Sequence, residues 1–444
     1  MFSDEWPDWQ AAERAVKAGR LRPYALWEQA DRAIQRWEPR VHAFLHYDRA
    51  AAERAARTAL PGVWSGAPLV VKDLADVAGM PTTGGSRAYW RWPARDADVI
   101  RRWRAAGAVL LGKTNTEELA FGVITAPTTN PWDPGRIPGG SSGGTAAAVA
   151  AGMAMGGLGT DTAGSIRIPA ALCGVVGFKP TLGSLSTRGV MALAPSFDTV
   201  GPVAHSVADA AALFRSMGGP AGERGAPRFR SWIRVLVPDA YWSGRLDDEV
   251  RRTWTSAVGV LEAAGARVEP VTLHPWAHWR DVFLAVRRPE SFWVHQRVLE
   301  GPRRSRLGGT LAARLEEGRD VSAVDYLAAQ AERRHLAAHY RRQLGSGVMV
   351  LPTVGVVAPR AGEDHVMLPR GATSVWEALV ALTLPASVLG FPAVSIPMGR
   401  SAGGLPTGLQ IVGAPGADPQ VLAVADWWAR HAALAPERPT LPSP

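Results

Sequence analysis

Two glycine-rich segments that contain serine lie close together in the chain, and each could supply a nucleophile. The first is PGGSSGGTAAAVAAG, residues 138–152, with Ser141 and Ser142, and the second is GTDTAGSIRIPA, residues 159–170, with Ser165. A serine becomes a nucleophile when a base takes its proton and backbone amides stabilise the oxyanion that forms on the substrate. Such chemistry needs a base within reach of one of these serines.

The first segment fits three interpretations. From Gly139 it nearly matches a phosphate-binding loop, but Thr145 stands where that motif requires lysine. Residues 139–143 match the GxSxG pattern of a nucleophile elbow, for which Asp198 and His205 could complete an α/β-hydrolase triad, although no strand-like segment directly precedes it. A plain turn before the helix-like TAAAVAAGM is the third interpretation.

The second segment places Ser165 at the start of the helix-like stretch SIRIPAALC. The amides of residues 162–165 could therefore converge at a helix N-terminus, where partial positive charge attracts an anion. An oxyanion hole needs such an arrangement. From this segment alone, Ser165 fits a helix cap and a nucleophile equally well.

A lysine is the base that this region offers, because none of the ten histidines lies in the two segments. Only four of the 49 basic residues are lysines, and three of them are Lys72, Lys113 and Lys179. Lys72 ends the apolar run PLVVK, which predicts a buried strand. A desolvated lysine can lose its proton and act as a base, whereas arginine cannot. For Lys113 and Lys179 we expect ordinary local packing.

Other titratable residues give weaker signals. His335 and His339 have a spacing that suits a metal ion, but no acidic third ligand has a recognisable spacing, so an exposed helix face is preferred. Cys173 is the single cysteine, which excludes an intramolecular disulfide and a thiolate metal cluster. We expect Cys173 in the core.

Composition indicates a globular protein, with 47% apolar and 20% charged residues in a chain of 444. The net charge of +9 comes from arginines scattered among acidic residues, so we expect no nucleic-acid partner. No apolar run approaches about 18 residues, the minimum for a membrane span. The N-terminal MFSDEWPDWQ is acidic where a secretory signal would be basic. We expect a cytoplasmic enzyme without a membrane span.

The hydrophobic pattern predicts an α/β fold. Strands buried on both faces are predicted for the runs APLVVKD, AVLLGK, VMVLPT and AVSIPMG. Helical patterns such as DADVIRRWRAAG and DDEVRRTWTSAVGVLEAAG alternate with them, which is typical of a sheet covered by helices. Residues 9–60 are predicted as three helices, the second ending before Pro39. Residues 274–345 are predicted as a mostly helical insertion or lid, and residues 218–228 as a surface loop.

Several of these segments together resemble the amidase signature family. They are VVKD, KTNTEELAFG, TNPWDP, PGGSSGGTAAAVAAG, GTDTAGSIRIPAALCGVVGFKPT, APSFDTVGPVAHSVADAA and, near residue 410, PTGLQIVG. The likeness is strong between residues 68 and 210 and weak between residues 215 and 345. It implies a mixed, twisted β-sheet covered on both faces by α-helices, in a single domain of residues 1–444. The signature core lies at about 68–210 and the helical insertion at about 274–345.

The resemblance also implies roles for individual residues. Lys72 matches the catalytic lysine of the family, Ser141 a bridging serine in a cis peptide, and Ser165 the nucleophile. The implied oxyanion hole consists of the amides of Thr162, Ala163, Gly164 and Ser165. Supporting positions are Ser142, Asp161 and Arg167, and pocket-lining positions are Phe121 and Gly122. Ala163 departs from the pattern, because many relatives have glycine there. Neither a metal nor an organic cofactor is implied.

The implied activity is hydrolysis of a C–N bond through an acyl-enzyme on Ser165. We favour an apolar or aryl amide or carbamate (urethane) as substrate, because no basic pair in the pocket-like segments would clamp an amino-acid carboxylate. Trp276, Trp279 and Trp293 would either line an aromatic entrance or pack a lid. The alternatives are a glutaminase subunit of a tRNA amidotransferase complex and an α/β-hydrolase-type esterase that uses Ser141 or Ser142. We expect a monomer or a homodimer that binds a small-molecule substrate.

Overall fold

The computed structural model describes residues 8–220, 233–239, 241, 244–432 and 438–440. Most of the predicted surface loop at residues 218–228 lies outside this part of the chain. The described helices are α1 Trp9–Lys17, α2 Pro23–Val41, α3 Arg49–Arg57, α4 Asp98–Ala105, α5 Gly143–Ala150, α6 Arg167–Cys173, α7 Val207–Ser216, α8 Asp248–Ala263, α9 Trp276–Leu299, α10 Gly309–Glu316, α11 Ala323–Leu344, α12 Val375–Val380, α13 Leu384–Leu389 and α14 Asp418–His431.

The described strands are β1 Phe44–Tyr47, β2 Pro68–Lys72, β3 Val109–Thr114, β4 Gly156–Asp161, β5 Val176–Lys179, β6 Thr199–Ala204, β7 Arg234–Pro238, β8 Arg267–Val271, β9 Val348–Pro352, β10 His365–Leu368, β11 Gly371–Ser374, β12 Ala393–Arg400 and β13 Pro406–Val412. Eleven of them form one sheet in the order β1-β3-β2-β4-β6-β5-β12-β13-β9-β7-β8, and β10 and β11 form a separate hairpin. In the described residues, no helix is both long enough and apolar enough to cross a membrane.

The large sheet is mixed and covered on both faces. Strand β2 pairs in parallel with β3 and β4, whereas β4 pairs antiparallel with β6. Every residue of β2, β3, β4, β6 and β9 is buried, as expected for strands that have helices on both sides. The predicted α/β fold, with a mixed sheet between helices, is confirmed.

The apolar runs located their strands correctly, because they correspond to β2, β3, β9 and β12. The predicted helical insertion holds α9, α10 and α11, and no strand lies in that stretch. The three predicted N-terminal helices correspond to α1, α2 and α3, but one strand among them was not predicted and the end of α2 was placed wrongly. Strand β1 lies between α2 and α3, where its half-exposed sequence FLHY at the sheet edge gives no continuous apolar run. Helix α2 continues past Pro39 and ends at Val41, although proline removes one N–H donor from its last turn.

Small residues allow α5 to pack closely against the centre of the sheet. All eight residues of α5, GGTAAAVA, are buried, and α5 contacts β2, β3 and β4. At Gly157 of β4, an added Cβ would lie 2.8 Å from the Thr145 side chain of α5 and 2.6 Å from the Val70 side chain of β2. This close approach brings Ser142, which directly precedes α5, to the sheet edge.

The parallel pairing of β2 and β4 determines where the site forms. Leu69 lies opposite Gly156 and Val71 opposite Leu158. The carboxyl ends of parallel strands meet at the same edge of a sheet. Lys72, the last residue of β2, therefore lies beside the end of β4, from which the chain continues to Ser165.

Candidate active site

The Lys72 amino group is enclosed by three hydroxyl groups. Its Nζ lies 2.7 Å from Ser141 Oγ, 3.0 Å from Ser142 Oγ and 2.8 Å from Thr160 Oγ1. Lys72 is fully buried, and no carboxylate oxygen of the described residues lies within hydrogen-bonding or ion-pairing distance of Nζ. A buried lysine with hydroxyl partners alone is poorly stabilised as a cation.

Burial lowers the pKa of Lys72 to about 7, and the attraction of Asp161, Asp198 and Glu117 only partly opposes this effect. A substantial fraction of Lys72 is therefore neutral near pH 7, whereas a lysine at its ordinary pKa is almost wholly protonated there. Thr160 was not identified from the sequence, although it lies in the quoted segment GTDTAGS. The signal that could have indicated Thr160 is its position at the end of β4, next to Asp161 and two residues after Leu158, which lies opposite Val71.

The hydrogen bonds of Ser142 constrain where protons sit around Lys72. Ser142 Oγ donates to the carbonyl oxygen of Thr160 across 3.1 Å. Because its hydrogen is used there, Ser142 Oγ accepts a hydrogen from Lys72. A neutral amine then has one further N–H and one lone pair for the hydroxyls of Ser141 and Thr160. The lone pair can receive the Ser141 proton directly.

A backbone hydrogen bond links the two serine segments. The amide of Ser142 donates to the carbonyl oxygen of Ser165 across 3.1 Å. The Gly140–Ser141 peptide is cis, and the Ser141 carbonyl accepts from the amide of Glu117 at 3.3 Å. The segments that carry Ser141 and Ser165 are thus connected directly, although a helix and a strand lie between them in sequence.

Ser165 is the one of the three predicted catalytic residues with measurable exposure. It is 7% exposed, whereas Lys72 and Ser141 are 0% exposed. Helix α6 begins at Arg167, two residues later than predicted, and its N-cap is Ile166 without a side-chain cap. The interpretation of Ser165 as a helix cap was therefore wrong. No described residue hydrogen-bonds to Ser165 Oγ, so its hydroxyl is free to react.

The loop before Ser165 carries the amides predicted for an oxyanion hole. The Gly164 amide is not available, because it donates to Asp161 Oδ1 across 2.8 Å. Within the described part of the chain, the amides of Thr162, Ala163 and Ser165 make no hydrogen bond. Three of the four predicted donors thus remain free. The Asp161 carboxylate engages Gly164 because it sits inside the turn that follows β4.

A buried ion pair fixes this loop. Arg167 Nη2 lies 2.9 Å from Asp161 Oδ1, Arg167 Nε lies 2.9 Å from Asp161 Oδ2, and both side chains are fully buried. Burial alone would raise the pKa of Asp161, but Arg167 outweighs it and holds that pKa below its ordinary value. The bidentate geometry supports the predicted supporting roles of both residues.

Arg167 also connects the loop to segments far away in sequence. Its Nη1 donates to the carbonyl of Thr383 at 2.8 Å and to Gln410 Oε1 at 2.5 Å, and its Nη2 donates to Ser387 Oγ at 2.8 Å. These three residues were not identified from the sequence. Gln410 lies in the quoted segment PTGLQIVG, but nothing there indicated contact with Arg167.

The residues proposed for a nucleophile-elbow triad are not connected. Asp198 accepts from the Thr162 hydroxyl at 2.7 Å and from the amides of Leu193 and Ala194. His205 Nε2 instead lies 3.3 Å from the carbonyl of Ala154, and burial lowers its pKa to about 3. Asp198 therefore does not orient His205, which disfavours the esterase alternative.

A cavity of about 160 Å³ lies next to the Lys72 cluster, because Thr160 and Thr162 belong to its wall. The rest of its lining is mostly apolar and includes Leu74, Ala120 and Leu193. Phe121 packs on these three side chains. At Gly122, an added Cβ would lie 2.6 Å from the Glu117 side chain, so packing accounts for this glycine. Phe121 thus packs behind the cavity wall without lining the cavity itself, and the pocket roles of Phe121 and Gly122 stay predictions.

Three further residues, Lys113, Lys179 and Cys173, were predicted to be packed inside the protein. Lys113 forms a buried ion pair with Asp73 at 2.7 Å, and Lys179 is buried with its Nζ 3.0 Å from the carbonyl of Pro180. Cys173 is fully buried, which raises the pKa of its thiol. Lys113, Lys179 and Cys173 are thus core residues, as expected.

The three tryptophans of the helical insertion differ in their exposure to solvent. Trp276 and Trp279 are buried, and Trp279 Nε1 donates to the carbonyl of His274, which agrees with packing. Trp293 is 68% exposed. On α11, His335 is exposed as expected, whereas His339 is half-buried with its ring 6.2 Å from that of His274. In the described part of the chain, no three His, Cys, Asp or Glu side chains form a group that could hold a metal ion.

Comparisons with known proteins identify the family and the fold of the chain. The sequence profile of the Amidase family matches residues 25–422. An amidase of Pseudomonas putida is 37% identical over 382 residues, which is 80% of each chain. A glutamyl-tRNA(Gln) amidotransferase subunit from Chloroflexus aurantiacus is 34% identical, with 97% of this chain and 98% of that protein covered. The crystal structure of an amidase superposes with a TM-score of 0.88 at 37% identity, covering 96% of this chain and 99% of the other.

The family match extends over most of the chain, and the fold of a solved amidase extends over nearly all of it. The hydroxyl cluster around Lys72 lies inside the matched range. The chain therefore belongs to the amidase signature family and is a hydrolase of carbon–nitrogen bonds other than peptide bonds.

Proposed function

We propose that this protein hydrolyses the C–N bond of an apolar or aryl amide or carbamate through an acyl-enzyme on Ser165. The observation that carries the proposal is the buried Lys72, whose Nζ contacts three hydroxyls and no carboxylate of the described residues. Such a lysine can be neutral at working pH and can take a proton. Ser165 supplies an accessible hydroxyl on the adjacent loop.

In the first step, Ser165 Oγ attacks the carbonyl carbon of the substrate. Its proton passes to Ser141 Oγ, with which Ser165 Oγ must form a hydrogen bond once substrate is bound, while the Ser141 proton passes to the lone pair of Lys72 Nζ, 2.7 Å away. The carbonyl oxygen becomes an oxyanion, and the free amides of Thr162, Ala163 and Ser165 stabilise it as hydrogen-bond donors.

In the second step, the C–N bond breaks. The protonated Lys72 returns its proton through Ser141 to the leaving nitrogen, so that an amine or ammonia departs. The same relay then removes a proton from water, which attacks the acyl ester on Ser165. Collapse of that intermediate releases the acid and restores the Ser165 hydroxyl.

Apolar lining of the cavity supports the choice of substrate. Leu74, Ala120 and Leu193 line the space next to Thr160 and Thr162, and they suit an alkyl or aryl group better than a strongly hydrated one. The experiment is to screen the purified protein and its Ser165→Ala variant against primary alkyl amides, aryl amides, carbamates and L-glutamine. We expect product from the wild type on one of the first three classes and none from the variant.

A second candidate function is the glutaminase component of a tRNA amidotransferase complex. The observation that favours it is the 34% identity over 97% of the chain to a glutamyl-tRNA(Gln) amidotransferase component. Glutaminase activity that emerges only in the presence of partner proteins would select this candidate. Hydrolysis of alkyl or aryl amides by the chain alone would select the first.

A further inference from the structure

Three buried polar side chains lie on one stripe of helix α9, and each has a polar atom without a hydrogen-bond partner among the described residues. They are Arg287, Ser291 and His295, spaced four residues apart, a spacing that places side chains on the same helix face. Arg287 is 8% exposed, and the other two are essentially unexposed. Within the described residues, Arg287 Nη1, Ser291 Oγ and His295 Nε2 have no hydrogen-bond partner. A buried polar group without a partner is costly, so three in a row indicate a ligand.

Arg287 differs from its neighbour in having no counterion. Arg288 pairs with Glu317 at 2.9 Å, whereas no described carboxylate pairs with Arg287. The Arg287 guanidinium carbon lies 4.5 Å from the centre of the Phe121 ring. Burial, with help from Arg288, lowers the pKa of Arg287 to about 10, which leaves it charged at neutral pH. The helix thus holds a desolvated cation that an anionic ligand would stabilise.

The other two members of the stripe can also donate hydrogen bonds. His295 Nδ1 lies 2.8 Å from the hydroxyl of Tyr89, and burial lowers the pKa of His295 to about 4, so its ring is neutral. When the Tyr89 hydroxyl donates to Nδ1, the hydrogen of the ring is on Nε2, which is the unpartnered atom. Ser291 adds a hydroxyl. The stripe therefore offers donors and positive charge, which suit a carboxylate.

Phe121 connects this stripe to the candidate active site. One contact of its ring is the Arg287 guanidinium, and the ring also packs on Leu74, Ala120 and Leu193 of the cavity wall. Glu290, on the same helix, accepts from the amide of Ser196 at 2.9 Å, next to the loop that lines the cavity. Phe121 therefore contacts both Arg287 of the stripe and the apolar cluster that contributes to the cavity wall.

We propose that Arg287, with Ser291 and His295, binds a carboxylate at the far end of the substrate, so that the enzyme prefers amides or carbamates whose acyl group carries a remote carboxylate. This inference rests on the proposed function and makes its substrate class more specific. The apolar cavity would hold the middle of such a substrate, and the Phe121 ring, which lies between the cavity wall and Arg287, would turn aside so that the stripe holds the charged end.

The test compares amides that differ only at the far end. Succinamate, glutaramate, adipamate and suberamate are compared with butanamide, pentanamide, hexanamide and octanamide, and 4-carbamoylbenzoate with 4-methylbenzamide, by ammonia release. We expect at least one carboxylate-bearing amide to exceed its neutral match in kcat/KM by about 10-fold or more, the scale of one charge-assisted hydrogen bond. Arg287→Gln should lower kcat/KM for that amide by about 10- to 100-fold, mainly through KM, and leave the neutral amide nearly unchanged.

Two further variants separate recognition from folding. Arg288→Gln is the matched control, because Arg288 has an ion-pair partner and is partly exposed, and it should leave the preference intact. Arg287→Lys keeps the charge without the guanidinium fork and should retain part of the preference. A preference for neutral amides at every length, or equal losses on both amides in Arg287→Gln, would overturn the inference while leaving the proposed function standing.

A binding measurement makes the inference independent of turnover. Adipate and terephthalate are titrated calorimetrically into the wild type and Arg287→Gln, with the fold of each checked by circular dichroism. Binding to the wild type that Arg287→Gln loses would support the carboxylate site even if no amide in the panel were cleaved. Absence of binding to the wild type, together with no preference in turnover, would refute it. A wild type that cleaves no amide, with no acylation of Ser165, would instead refute the proposed function.

Discussion

Lys72 Nζ lies 2.7 Å from Ser141 Oγ, although 69 residues separate them in the chain. The contact forms because β2 and β4 end at the same edge of the sheet and the small residues of α5 let the Ser141 segment approach that edge. Both atoms are buried, so solvent cannot replace either one in the relay. The reactivity of Ser165 is therefore expected to depend on this one pair.

The first prediction concerns which serine becomes acylated. A fluorophosphonate should label Ser165, because its hydroxyl is the accessible one and lies beside the free amides of the loop. Ser165→Ala should lose the label and reduce kcat/KM by about 10³-fold or more. Peptide mapping by mass spectrometry locates the label. Label on Ser141 or Ser142 that persists in Ser165→Ala would contradict the assignment.

The second prediction concerns Thr160, whose hydroxyl contacts Lys72 at 2.8 Å. Thr160→Val removes an acceptor that favours the charged form of Lys72, so the pKa that limits activity should fall and the rising limb of kcat/KM should move to lower pH. The activity plateau should drop by about 10-fold, the scale of one hydrogen bond. Thr160→Ser keeps the hydroxyl and is the matched control. Identical pH profiles for the two variants would show that the hydroxyl has no such role.

The third prediction concerns Ala163 and Gly164, two adjacent residues of the loop before Ser165. Replacing Gly164 by alanine should lower activity, whereas replacing Ala163 by glycine should not. Gly164 has a φ of +133°, and an added Cβ would lie 2.3 Å from Thr383 Oγ1. Gly164→Ala should therefore displace the Ser165 loop and lower kcat/KM by about 100-fold, as small misplacements of reacting groups do. Ala163→Gly adds no side chain and should stay close to the wild type. Similar activity of both variants would show that the loop geometry is not critical.

The buried ion pair between Asp161 and Arg167 should matter for stability. Arg167→Met leaves the Asp161 carboxylate buried without its partner, which should cost about 3–5 kcal/mol of the free energy of unfolding. The double variant Asp161→Asn with Arg167→Met should recover part of that loss. Lys17→Met breaks the exposed ion pair with Glu13 at 2.6 Å and is the control, with an expected cost of about 0–1 kcal/mol. Chemical unfolding followed by fluorescence measures all three, and equal losses for the buried and exposed pairs would contradict the account.

The sequence indicated the segments of the candidate site because they are continuous, whereas the roles of Ser141 and Ser165 came from the resemblance to the amidase signature family. Lys72 ends an uninterrupted apolar run, which marks a buried strand end, and Ser141 and Ser165 lie in glycine-rich stretches that are visible as text. The strands β2, β3, β9 and β12 were found for the same reason. The sequence can predict the environment of a residue when that environment is determined by its immediate neighbours in the chain.

The other features of the site and the fold could not be predicted, because they depend on contacts between segments that are distant in sequence or on an edge strand without a clear pattern. The partners of Arg167 come from Thr383, Ser387 and Gln410, more than 200 residues away, and no local pattern marks them. The orientation of the Gly164 amide depends on where the Asp161 carboxylate sits in the folded loop. Strand β1 was missed because an edge strand does not need a continuous apolar run.

The central claim is that Lys72 acts as a proton-transferring base, and the pH dependence of kcat/KM for wild type, Lys72→Ala and Lys72→Arg on one unactivated amide tests it most directly. The pKa of Lys72 is lowered to about 7, so the neutral, active form is lost as pH falls below that value. For the wild type we expect kcat/KM to rise with pH through a limb near pH 7 and then to level off. Lys72→Arg keeps the charge but cannot release its proton, so it should be as inactive as Lys72→Ala, with folding verified by circular dichroism. A folded Lys72→Arg enzyme that retains most of the wild-type activity would contradict the relay and leave Lys72 a structural cation.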